Sequence, residues 1–146
     1  MNAPLTPHGP GFSFLDSFEV ADDGKRGLGK KWLDPALPFF ADHFPGEPLM
    51  PGVLLVECGA QTAGALWGSM SPSEPGQPRR FVLAQIVQFK IGRPVLPGQT
   101  LESEAVLEKS LGSLAQFAIR IIVNQLEVAQ GRLVLGIPGT PVHPPE

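Results

Sequence analysis

The chain has 146 residues, of which 42% are hydrophobic and 17% charged, with a formal net charge of −3. That is the length of one domain with enough apolar material to bury a core, and the composition excludes both a disordered chain and a bilayer-embedded one. The weak negative charge excludes nucleic-acid binding by bulk electrostatics, and the single cysteine, Cys58, excludes an intramolecular disulfide.

Residues 1–11 and 138–146 are rich in Pro and Gly and read as flexible tails around one domain spanning 12–137. His8 and His143 lie in these tails and read as solvated. The first residues, MNAPLTPHGPGF, have neither the charged nor the apolar region of a signal peptide, so a cytoplasmic protein is expected. Phe12–Ala21 and Gly27–Leu33 read as two strands joined by the turn Asp22-Asp23-Gly24-Lys25. Pro35–Phe40 reads as a connector of about one helical turn.

The loop that follows is punctuated by Pro48, Pro51 and Gly52, and a helix is expected over Gly52–Gly68. Pro51 suits its start, because the missing N–H would lack an intrahelical partner there. The helix is apolar almost all round, a pattern that belongs to a helix wrapped by other structure. Its apolar run, Val53–Trp67, is too short and too interrupted to span a bilayer. Ser71–Pro78 reads as a loop. Beyond it the period changes to two, and strands are expected over Phe81–Pro94, Leu101–Lys109, Leu114–Asn124 and Leu126–Ile137. In the third of these, Ala115, Phe117, Ile119, Ile121 and Val123 share one face while Gln116 and Arg120 take the other. One packed face and one wet face indicate an antiparallel sheet. The expected fold is therefore α+β, with about six strands and one long buried helix.

The chemistry concentrates around that helix. His43 stands in the preceding loop, and Glu57 is the only carboxylate in the apolar run. An acid in such surroundings is costly to bury without partners. Gln61 follows by four residues, which stacks it on the same helical face, where its amide can orient the carboxyl. Gly52 sits in the first turn, where backbone N–H groups lack partners and the helix dipole is positive. That end can polarise a carbonyl oxygen, and a glycine lets a ligand approach closely. A histidine titrates near neutral pH, and a carboxyl enclosed by apolar groups can hold a proton to donate. These are the parts needed to move a proton beside a carbonyl. Fourteen residues separate His43 from Glu57, so only the fold can bring them together. A solvated loop histidine and a solvent-facing helical glutamate remain the competing reading. No spacing of His and Cys suggests a metal site, and no glycine loop suggests a phosphate-bearing cofactor, so neither is expected.

The segment HFPGEPLMPGVLLVECGAQTAG resembles, without gaps, the active-site signature of the β-hydroxyacyl-acyl-carrier-protein dehydratases, the FabZ/FabA group of the hotdog superfamily. FSFLDSFEV resembles the family's first strand, and FKIGRPVLPG its Phe-(Lys/Arg)-x-Pro-Val-x-Pro-Gly segment, so the likeness covers roughly 12–137. It implies a hotdog fold, a long helix wrapped by a curved antiparallel sheet. It implies that His43 is the catalytic histidine, Glu57 the catalytic acid, Gly52 the thioester-carbonyl donor and Gln61 the residue orienting the acid. It further implies a homodimer in which His43 and Glu57 meet across the interface, with a trimer of dimers as a larger assembly. The implied substrate is a 3-hydroxyacyl thioester on acyl carrier protein or on CoA, dehydrated without metal or organic cofactor.

Departures from the family pattern are local. Phe89–Pro94 is about two residues longer, Gln99 replaces the usual acid after Pro-Gly, and the absence of tyrosine removes the gate found in some members. Phe81 stands in that gate region, and with Phe44 and Trp67 it is a candidate for lining an acyl tunnel; simple core packing is the alternative for each. Cys58 reads as a small packing residue. Arg79, Arg80, Lys90 and Arg93 are candidates for meeting an acidic carrier or its phosphopantetheine arm, against a solvated charged edge. Two other functions stay open here: an acyl-thioester hydrolase of the same fold, and a non-catalytic hotdog module that binds an acyl carrier.

Overall fold

The computed structural model describes residues 5–70 and 79–139, so the loop read at 71–78 and His143 lie outside the described residues. The strands are β1 (Ser17–Ala21), β2 (Arg26–Trp32), β3 (Val82–Ile91), β4 (Thr100–Leu111), β5 (Leu114–Val123) and β6 (Leu126–Gly136). A short helix α1 (Pro38–Asp42) and the long helix α2 (Gly52–Met70) lie between β2 and β3. Every pairing is antiparallel, in the order β1-β2-β4-β5-β6-β3.

Turn chemistry accounts for the connections. Asn124 and Gln125 both take positive φ (50° and 67°), the twist a two-residue hairpin needs between β5 and β6. Before β4, Pro97-Gly98 makes the turn closed by Gln99 N–H donating to Leu96 O at 3.3 Å, with Gly98 at φ 84°. The one-turn connector falls three residues later than its sequence suggests at its N-terminal end, because Pro38 occupies the first turn of α1.

The alternation in β5 places Ala115, Phe117, Ile119, Ile121 and Val123 in the core. They pack with Leu101, Ala105 and Leu133 from neighbouring strands against Leu55, Cys58, Ala63 and Leu66 of α2. Fully burying side chains of this size stabilises by about 1.5–3 kcal/mol each. Cys58 through Ala63 are buried without interruption, so the middle of α2 is enclosed on all sides. Gly59 permits this closeness, since a Cβ there would lie 2.5 Å from Ile119 Cγ2. Register shifts in β3·β6, β4·β5 and β5·β6 mark bulges that bend the sheet around the helix. No helix among the described residues is long and apolar enough to cross a membrane.

Two edges remain. At one, β1 is five residues long; at the other, β3 runs ten residues and exposes Val82, Leu83, Ile86, Val87 and Ile91.

Candidate active site

His43 caps the C-terminal end of α1, where its N–H donates to Phe39 O at 3.0 Å. Leu49 then grips it twice. Leu49 N–H donates to His43 O at 2.7 Å, and Leu49 O lies 2.9 Å from His43 Nδ1. A carbonyl can only accept, so Nδ1 carries the hydrogen and the neutral ring keeps its lone pair on Nε2. The ring is half-buried and stacks on the exposed ring of Phe44 at 4.2 Å. Held in this way, the neutral ring can accept a proton only at Nε2.

Gly52 opens α2, directly after Pro51, with Leu54 N–H donating to Pro51 O at 2.9 Å. As the first helical residue, it has no intrahelical acceptor for its own N–H. A Cβ at Gly52 would lie 2.6 Å from Ile91 Cδ1, the end of a half-exposed β3 side chain that would have to turn aside.

Glu57 and Gln61 share a face of α2, and Gln61 Nε2 donates to Glu57 Oε2 at 2.9 Å. The Gln61 amide is oriented without ambiguity. Phe14 N–H donates to its Oε1 at 2.7 Å, and Nε2 also donates to Phe12 O at 2.8 Å. Gln61 therefore presents to residues 12–14 the donor and acceptor that a neighbouring strand would otherwise supply. For that reason β1 begins at Ser17 and not at Phe12: the backbone ahead of it is already paired with a side chain.

One expectation is corrected. His8 is not a solvated tail residue: its Nε2 lies 3.4 Å from Glu57 Oε2, and its Nδ1 is buried. Thr6, itself buried, shapes this approach by accepting the His8 N–H at 3.3 Å. A Thr two residues before the histidine is a weak local turn signal. Nothing in the sequence links residue 8 to residue 57.

Within one chain, His43 and Glu57 are not joined. The described contacts of the Glu57 carboxyl are with Gln61 and His8, and those of the His43 ring are with Leu49 and Phe44. The three aromatic candidates separate likewise. Trp67 and Phe81 stack on each other at 4.5 Å and Trp67 meets Phe117 edge-on, which places this pair against the core. Phe44 stays with His43. Burial pushes the Cys58 thiol far above the usual thiol range, and the neighbouring Glu57 charge acts in the same direction. Such a thiol is inert packing material. Arg79 lies over the Phe81 ring at 5.5 Å, while Arg80, Lys90 and Arg93 are exposed. No group of three or more His, Cys, Asp or Glu among the described residues is placed to hold a metal ion.

Comparison with known proteins gives the family and the fold. The profile of the FabA-like domain matches residues 6–132. The 3-hydroxyacyl-[acyl-carrier-protein] dehydratase FabZ of Herpetosiphon aurantiacus is 38% identical over 133 residues, covering 91% of this chain and 92% of the relative. FabZ of Clostridioides difficile is 35% identical over 133 residues, with the same coverage of 91% and 92%. Among solved structures, a putative thioesterase, yhdA, from Lactococcus lactis superposes with a TM-score of 0.64 at 16% identity, covering 84% of this chain and 91% of that one. The dehydratase heterocomplex ApeI:P from Xenorhabdus doucetiae gives 0.59 at 24% identity, covering 84% and 96%. The fold is the hotdog fold.

Proposed function

The chain belongs to the FabA-like domain family, and on that premise we propose that it removes water from 3-hydroxyacyl thioesters, carried on acyl carrier protein, to give trans-2-enoyl thioesters in fatty-acid or related acyl-chain synthesis. The observation that carries this reading is the fixed orientation of two side chains. His43 has Nδ1 on Leu49 O, and Glu57 has Oε2 on Gln61.

His43 Nε2 takes the proton from C2 of the substrate. Charge developing on the thioester oxygen is met by the Gly52 N–H and the positive end of α2. The C3–O bond breaks as Glu57 gives its proton to the departing hydroxyl, which leaves as water while the C2–C3 double bond forms. The proton on His43 returns to Glu57 through solvent, which restores both groups. Gln61 keeps the Glu57 carboxyl aimed throughout.

We place His43 and Glu57 of one reaction centre on different copies of the chain. The β3 edge, unpaired among the described residues and carrying five exposed apolar side chains, favours pairing with a second β3. Val53, 76% exposed on the first turn of α2, points to the same covering. Arg80, Lys90 and Arg93 would meet the acidic carrier or its phosphate at the rim. The lone thiol is in keeping with a reducing cytoplasm.

Incubation with a crotonyl thioester tests the reading, since the reverse reaction adds water. Formation of the 3-hydroxy product with the thioester intact is expected. Release of free thiol without hydration would instead make this fold a hydrolase, and no turnover of any acyl thioester would overturn catalysis altogether.

A further inference from the structure

His8 is held against the acid by built contacts. Its ring packs near Phe12 at 5.9 Å, and Phe12 meets the buried Phe14 edge-on at 5.3 Å. The Phe12–Phe14 backbone is in turn tied to Gln61. The segment that orients Gln61 therefore also delivers the imidazole. Nε2 faces Glu57 Oε2 at 3.4 Å, and Nδ1 is buried with no hydrogen-bond partner among the described residues. A buried ring nitrogen left unpaired is unfavourable and calls for a reason why the ring is held there.

The two oxygens of Glu57 are not equivalent. The Gln61 amide cannot flip, because Phe14 N–H needs its oxygen, so Gln61 always presents N–H to Oε2. The His8 nitrogen converges on that same oxygen. An oxygen receiving N–H groups is a poor place for the carboxyl's own hydrogen. Oε1 has no hydrogen-bond partner among the described residues.

We propose that His8 is a positioning residue which, with Gln61, holds Glu57 Oε2 as an acceptor, so that the proton given to the substrate's 3-hydroxyl is carried on Oε1. This rests on the dehydratase reading above. A separation of 3.4 Å exceeds an ordinary N–H···O bond, and such contacts tighten when a substrate fills the site.

The test uses the full chain, a crotonyl thioester and the variants His8→Ala and His8→Gln. His8→Ala should lower kcat about tenfold with KM unchanged, the effect of losing one contact that tightens into a hydrogen bond when substrate is bound. His8→Gln, whose amide nitrogen can reach the place of Nε2, should recover most of that loss. Independently of turnover, the long-range 1H–15N spectrum should show His8 protonated on Nε2, with the signal moved by Glu57→Gln and unmoved by His43→Ala. Parent-like kcat in His8→Ala, with an active parent, overturns the role of His8 and leaves the dehydratase reading standing. Equal losses in His8→Ala and His8→Gln that track a drop in melting temperature also overturn it, as would His8 protonated on Nδ1 alone. A parent that hydrates nothing overturns both.

Discussion

Replacing Gln61 with leucine separates its two duties, one to the fold and one to Glu57. Gln61 is 4% exposed, and leucine is close to it in size, so packing is largely kept. Three hydrogen bonds go: those from Phe14 N–H, to Phe12 O and to Glu57 Oε2. Phe14 is buried, so its N–H is orphaned at a cost of about 1–3 kcal/mol. Phe12 is 45% exposed and water can replace its lost donor. The lost bond to Glu57, whose side chain is 23% exposed, adds about 1 kcal/mol. The sum, about 2–4 kcal/mol, corresponds to a fall of about 5–15 °C in melting temperature for a chain of this size. Calorimetry at fixed protein concentration reads that term, and crotonyl thioester hydration reads the other. With Glu57 no longer held, kcat should fall at least tenfold, or about 1.4 kcal/mol of activation free energy. Glu57→Gln leaves the Phe14 N–H satisfied, so it should abolish hydration while keeping most of the stability. A Gln61→Leu variant that melts within about 1 °C of the parent and hydrates at the parent rate would refute this account.

Two further outcomes follow from the structure. His43→Ala and Glu57→Gln should each be inactive alone; refolded together at equal amounts, they should recover about a quarter of parental activity, since half the dimers are mixed and each mixed dimer has one intact site. No recovery would place both residues of a centre on one chain. The Cys58 thiol, raised by burial first and by the Glu57 charge second, should resist alkylation at pH 8 until the protein is unfolded. Above the ordinary thiol range, near pH 8.5, the unfolded chain loses this proton while the folded chain keeps it, so stability should fall with rising pH. Urea midpoints at pH 8 and 10 should show a smaller fall for Cys58→Ala than for the parent.

What the sequence makes legible is set by how local the governing physics is. The period-two pattern of β4 to β6 and the all-round apolarity of α2 are local, and those elements fall within a few residues of their expected bounds. The geometry of Glu57 and Gln61 is also local, fixed by a spacing of four on one helix. The start of β1 is not. Residues 12–14 look like strand in composition, yet their backbone is paired with an amide side chain 47 and 49 residues away. His8 is illegible for the same reason: its position follows from that docking, not from its neighbours in a Pro/Gly-rich segment. One side chain, Gln61, thus ends a strand early, ties down the segment before it and brings a histidine to the acid. A proline-rich terminus beside a site is then better judged by the buried amides able to hold it than by its own composition.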